Sequence, residues 1–139
     1  MEPFKILIAD RNRHVREFLR RELTQEGYWV EVARDGREIL MRLNGEDPPD
    51  LLILDLEVPY VMELEVLTRL KNRKPAVPVV IHSFLPESAN HNGAPMAAAF
   101  LEKKGDTDLL KTVVGEVIGK NYPGRRSPGA AKDSPLKNL

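Results

Sequence analysis

"PPDLLILDLEVP", residues 48–59, is the stretch whose reading decides the fold. Five of the eight residues from Asp50 to Glu57 are leucine or isoleucine, and the run reaches a carboxylate at Asp55. An apolar run this short, bounded by prolines, reads as a strand buried on both faces. Strands of that kind belong to parallel sheets, whose connecting helices cover both sides.

The pattern repeats outward from this strand. "FKILIA" (4–9) is a second apolar run, ended by Asp10, and Val15, Phe18, Leu19 and Leu23 follow at helical spacing between a capping Asn12 and Gly27. "YWVEVA" (28–33) alternates and is rich in β-formers. Asp35 and Glu38 then make a capping-box pattern before Ile39, Leu40 and Leu43. After the quoted strand, Leu64, Val66, Leu67 and Leu70 predict another helix. "VPVVIHS" (77–83) and the weaker "AAFLEK" (98–103) supply two more strands, and Leu109, Leu110, Val113, Val114, Val117 and Ile118 predict a last amphipathic helix ending near Gly119. Between strands four and five, Pro86, Gly93 and Pro95 leave room only for a short or irregular helix. Residues 122–139 carry proline, glycine and charge without periodicity, so the expected division is one domain over 1–121 and a disordered tail over 122–139.

Five strands alternating with helices imply an α/β fold, an open doubly wound parallel sheet with right-handed crossovers. In such sheets ligands bind beyond the carboxyl ends of the strands. Asp10, Asp55, Ser83 and Lys103 all stand at or just past such ends. Each alone has a bland explanation as a cap, a turn or a solvated charge. Two acids, a hydroxyl and an ammonium on four neighbouring strands make a far more specific pattern.

The composition narrows the classes of function. With 21 basic and 21 acidic side chains the formal charge is zero, so no global field draws the chain to nucleic acid or an anionic membrane. There is no cysteine, which removes disulfides, thiolate metal sites and cysteine nucleophiles. No apolar run approaches the ~18 residues of a membrane span, and a cytoplasmic location without membrane association is the expectation. A flavin-binding carrier on the same sheet is disfavoured, because "DRNRH" follows the first strand where a phosphate-cradling Gly/Ser/Thr loop would be needed.

Over residues 4–120 the chain resembles the receiver domain of bacterial two-component response regulators. The resemblance rests on "ILIAD", on "DLLILDLEVP" with its proline four residues after the aspartate, on "VPVVIHS", and on "AAFLEKK" followed by a helix. It implies the strand order 2-1-3-4-5 of flavodoxin-like sheets. It also implies that Asp55 accepts a phosphoryl group from a histidine kinase or phosphotransfer protein, with Lys103 neutralising charge and Ser83 hydrogen-bonding a phosphoryl oxygen. Ser83 and Phe100 would then act as the switch pair, Asp10 and Asp55 as ligands of Mg²⁺, and a downstream protein target would read the phosphorylated surface. With no room for an output domain in the tail, a stand-alone receiver signalling by protein contact is expected. Its activity would be phosphoryl acceptance rather than enzymatic turnover.

The departures are as specific as the matches. Arg11 follows Asp10 where the family has a second acid, and a guanidinium there repels a divalent cation. Three arrangements are open: Arg11 turned to solvent with a weakened Mg²⁺ site, Arg11 paired with Asp55 as a substitute for the metal, or a locked site with phosphorylation lost. The metal-dependent arrangement is disfavoured against the other two together. Tyr60 and Glu63 replace small residues after Asp55, Phe84 replaces a small residue after Ser83, and the spacing from Ser83 to Lys103 is short for the family. The competing function is a pseudo-receiver, a protein-interaction module independent of phosphate. His82 reads as a strand histidine satisfied by a neighbour, and the three histidines have no metal-ligand spacing.

Overall fold

The computed structural model describes residues 3–84, 97–103 and 107–125. Five parallel strands form one sheet in the order β2-β1-β3-β4-β5: β1 Lys5–Ala9, β2 Trp29–Ala33, β3 Leu51–Leu54, β4 Val79–Ser83 and β5 Ala99–Glu102. The helices are α1 Arg13–Gln25, α2 Gly36–Leu43, α3 Val66–Asn72 and α4 Asp108–Asn121. The doubly wound architecture and its strand order are as expected from the sequence. The short or irregular helix anticipated between β4 and β5 lies outside the described residues.

Alternation along each strand divides the apolar residues between two cores. Ile6 and Ile8 of β1 join Leu51, Ile53 and Val80 under Leu19 and Leu23 of α1 and Leu110, Val114 and Ile118 of α4. Leu7 and Ala9 join Leu52, Leu54 and Ile81 under Ile39 and Leu43 of α2 and Val66, Leu67 and Leu70 of α3. Every residue of β1, β3 and β4 is buried, which is why these strands read as near-continuous apolar runs.

The helix starts follow local chemistry. Asn12 caps α1, its side chain accepting from the amides of His14 and Val15. Asp35 accepts from the Glu38 amide, but the return bond of Glu38 goes to the amide of Arg34, one residue earlier than in a standard capping box. Gly36 is dictated by contact: its amide donates to Pro59 O at 2.8 Å, and a Cβ there would lie 2.6 Å from Tyr60 O.

Two expected positions shift. Leu64 precedes α3, because the chain leaves β3 through a loop with positive φ at Tyr60 (67°) and Glu65 (51°), and the helix begins only at Val66. Leu109 is exposed, since Leu110 takes the inward position on α4 and a neighbour rotated by about 100° faces away.

Beyond residue 121, where the domain is expected to end, Tyr122 and Arg125 pack back on the sheet. The Tyr122 hydroxyl donates to Asp50 O at 2.6 Å, its ring lies 5.6 Å from that of Phe4, and the Arg125 guanidinium sits 3.9 Å from the Phe4 ring centroid. Arg125 also pairs with Asp50 at 3.0 Å. These side chains close the amino-terminal end of the sheet; residues 126–139 lie outside the described residues.

Candidate functional site

The parallel register aligns Ala9 with Leu54, so the residues that follow, Asp10 and Asp55, emerge side by side at the carboxyl end of the sheet. Both are 2% exposed. The Asp55 amide donates to Ala9 O at 2.9 Å, tying the two strand ends together. Each carboxylate also takes one oxygen into its own turn: Asp10 Oδ1 accepts from the Asn12 amide at 2.8 Å, and Asp55 Oδ1 from the Glu57 amide at 3.1 Å. The other oxygen of each is left facing the site.

Lys103 fills the space between those oxygens. Its amide donates to Ser83 O at 2.7 Å, extending the β4–β5 ladder by one rung. Its Nζ lies 2.6 Å from Asp10 Oδ2 and 3.2 Å from Asp55 Oδ2. The side chain is 6% exposed, and Nζ also lies 4.9 Å from the centroid of the Phe84 ring. Two buried carboxylates therefore share one buried ammonium, which attracts both and relieves their mutual repulsion. Ser83, 1% exposed, ends β4 beside them. Phe100 pairs with Ile81 and packs, partly buried, on the α2–α3 core.

Arg11 lies at the mouth of the site. Its Nη2 is 2.6 Å from Glu57 Oε2, and its Nε is 3.9 Å from Asp55 Oδ2. The side chain is half exposed and its firm partner is Glu57, an arrangement between the solvent-turned and Asp55-paired alternatives. Glu57 is the site residue that sequence reasoning missed. The signal was available in the register, since chain just past β1 must lie beside chain just past β3.

Magnesium takes hard oxygen ligands in near-octahedral array. Among the described residues no group of three or more His, Cys, Asp or Glu side chains is placed to hold a metal ion. The two carboxylates that face the site already enclose an ammonium, and a guanidinium stands beside one of them. This donor set does not fit a resident divalent cation.

His82 departs from expectation. It is buried on the α1 side of the sheet, where it lines an apolar cleft with Val15, Phe18, Leu19 and Phe84, and among the described residues its Nδ1 has no hydrogen-bond partner. Burial, reinforced by the nearby Lys103 charge, pushes its pKa below the usual imidazole value. Among the described residues no helix is long and apolar enough to cross a membrane.

Comparison with known proteins agrees with this fold. The response regulator receiver domain family matches residues 6–115. The response regulator MprA of Mycolicibacterium vanbaalenii is 43% identical over 79 residues, which cover 57% of this chain and 34% of MprA. The chain thus spans about a third of the length of the curated relatives it matches. Among solved structures, the response regulator TrrA of Thermotoga maritima, in complex with Mg²⁺-BeF, superposes with a TM-score of 0.73 at 29% identity, covering 82% of this chain and 98% of that one. A chain from the complex of histidine kinase ThkA with TrrA superposes at 0.71 and 28% identity, covering 82% and 97%. A receiver domain from Methanospirillum hungatei, 19% identical with a TM-score of 0.78 and covering 89% and 100%, shares the fold. A family match across most of the chain, on a sheet of this order, makes the protein a member of the response regulator receiver domain family of two-component signalling proteins.

Proposed function

We propose that this receiver accepts a phosphoryl group on Asp55 and passes the signal on by protein contact. The observation that carries the reading is the Asp55 carboxylate, 2% exposed at the end of β3, with the Lys103 ammonium 3.2 Å from its outward oxygen. A carboxylate oxygen attacks phosphorus in line; the new P–O bond forms as the bond to the donor breaks. From a phosphohistidine the leaving imidazole nitrogen takes a proton from solvent, and from acetyl phosphate the leaving group is acetate. Lys103 balances the charge that builds on the equatorial oxygens, and the Ser83 hydroxyl donates to one of them. Asp10 holds Lys103 from the far side at 2.6 Å and so keeps the ammonium in the pocket.

A histidine kinase or phosphotransfer protein is the proposed donor, supported by the likeness to TrrA, which has been solved in complex with the kinase ThkA. A protein target would read the change through Ser83 and Phe100. Intact-mass measurement with acetyl phosphate tests the reading: the wild type gains one phosphoryl group and Asp55→Asn gains none. Labelling of Asp55→Asn to the wild-type level would place the acceptor elsewhere.

A second reading, a pseudo-receiver that binds partners without phosphate, is favoured by the guanidinium at the mouth and by the Phe84 ring against Lys103. Under it, no label appears with any donor, and partner binding survives Asp55→Asn.

A further inference from the structure

The misfit between the site and a divalent cation has a specific cause. The Arg11 guanidinium stands beside Asp55, with Nε 3.9 Å from Asp55 Oδ2, so a divalent cation bound to that oxygen would meet a like charge. The backbone beneath Arg11 is fixed on both flanks: Asp10 Oδ1 accepts from the Asn12 amide, Asn12 caps α1, and Arg16 Nη1 donates to Asp10 O at 2.8 Å. The side chain itself is 52% exposed, so surrounding packing does not hold it; the 2.6 Å contact to Glu57 does. The backbone of Glu57 is fixed in turn, because its amide donates to Asp55 Oδ1.

We propose that Arg11, positioned by Glu57, takes the place of the divalent cation beside Asp55, so that phosphoryl acceptance proceeds without metal. A guanidinium presents five donors in a planar fork. One edge stays on Glu57 while Nε, on another side of the same plane, serves the phosphoryl oxygens. Arg11 touches the reacting group; Glu57 acts through Arg11 and is a positioning residue. The bonds formed and broken are those of the transfer described above, and no further reactant is needed. The labelling arm of the test rests on Asp55 being the phosphoacceptor, whereas the metal-binding arm does not.

The full chain is titrated with MgCl₂ by calorimetry, with no phosphodonor present. Wild type gives no saturable heat, while Arg11→Asp, which brings a third carboxylate, gives saturable binding in about the millimolar range that Asp55→Asn removes. Separately, acetyl phosphate labelling is followed by intact mass in chelator and in MgCl₂. The wild type labels at the same rate in both. Arg11→Ala and Glu57→Gln each slow the metal-free rate by about tenfold to a hundredfold, the range for a charge-assisted hydrogen bond. The double variant is no slower than Arg11→Ala alone, because Glu57 works only through Arg11; a merely structural Glu57 would add its own loss. Saturable Mg²⁺ binding by the wild type that Asp55→Asn abolishes overturns the proposal, as does wild-type labelling that requires Mg²⁺. An unslowed Glu57→Gln overturns the positioning role. If neither buffer labels the wild type, the phosphoacceptor reading falls, and the magnesium titrations alone decide whether Arg11 fills the cation position.

Discussion

The two ends of the sheet carry charge clusters of similar make-up put to different uses. At the amino end, Asp50 accepts from the Lys5 amide at 2.8 Å and from both terminal nitrogens of Arg125, at 3.0 and 3.3 Å. Lys5 Nζ pairs with Asp47 at 2.6 Å. These contacts join residues far apart in sequence, and the Asp50 carboxylate is covered by donors on both oxygens. At the carboxyl end, Asp10 and Asp55 each turn one oxygen inward to a local amide and leave the other to a single shared ammonium. A saturated cluster fastens the fold. The other holds two buried acids on one buried ammonium, which keeps a carboxylate oxygen of Asp55 facing the site beside a cation that can share the charge of an arriving phosphoryl group.

That contrast can be broken most directly at Lys103. Lys103→Met leaves two buried carboxylates without their common counter-charge, and urea unfolding is expected to show a loss of about 3–5 kcal/mol. Labelling by acetyl phosphate should fall about a hundredfold. Adding Asp10→Asn to the same chain should recover part of the stability and none of the labelling. Stability unchanged in Lys103→Met would mean that the two ends are alike after all.

Asp50→Ala is the counterpart at the amino end. It removes the acceptor shared by Lys5 and Arg125 and should cost about 2 kcal/mol in the same unfolding experiment. The initial labelling rate should stay at the wild-type value. A slowed rate would show that the fastening end and the reactive end are coupled.

The smallest effects are pH slopes, and they have opposite signs. Burial, with the nearby Asp50 charge, raises the Tyr122 phenol from 10.0 to about 12. Between those values the unfolded chain has lost a proton that the folded chain keeps. Stability is therefore intact below pH 10, falls as pH rises toward 12, and loses that slope in Tyr122→Phe. His82 at the other end has its pKa depressed below 6.5, so the unfolded chain takes up a proton first as pH falls through that value. Stability is present above it and declines below it, and His82→Leu should flatten the acid side. Thermal midpoints across pH 5–7 and 9–12 read both slopes.

Much of this was legible in the chain because burial leaves a period. Strands buried on both faces are largely apolar, so β1, β3 and β4 stood out, and the carboxyl-end rule brought Asp10, Asp55, Ser83 and Lys103 together from the sequence alone. What was not legible depended on tertiary contact. Glu57 is one acid among many until the register sets it against Arg11. Tyr122 and Arg125 sit in a segment without periodicity and are ordered by Phe4 and Asp50, more than a hundred and about seventy-five residues away in sequence. The unpartnered Nδ1 of His82 could not be foreseen, because a strand pattern tells which face a ring takes and not whether a donor waits there.

The clamp on Arg125 also fixes a point of attachment. Its guanidinium is held by Asp50 and lies over Phe4, on the rim of the sheet opposite Asp55. A dye joined directly after Arg125 starts from that far rim and leaves the approach of a phosphodonor clear. The same dye at Phe84 would stand against Lys103 itself. For immobilising the protein on a sensor, or reporting on it by fluorescence, position 125 is the handle and position 84 the obstruction.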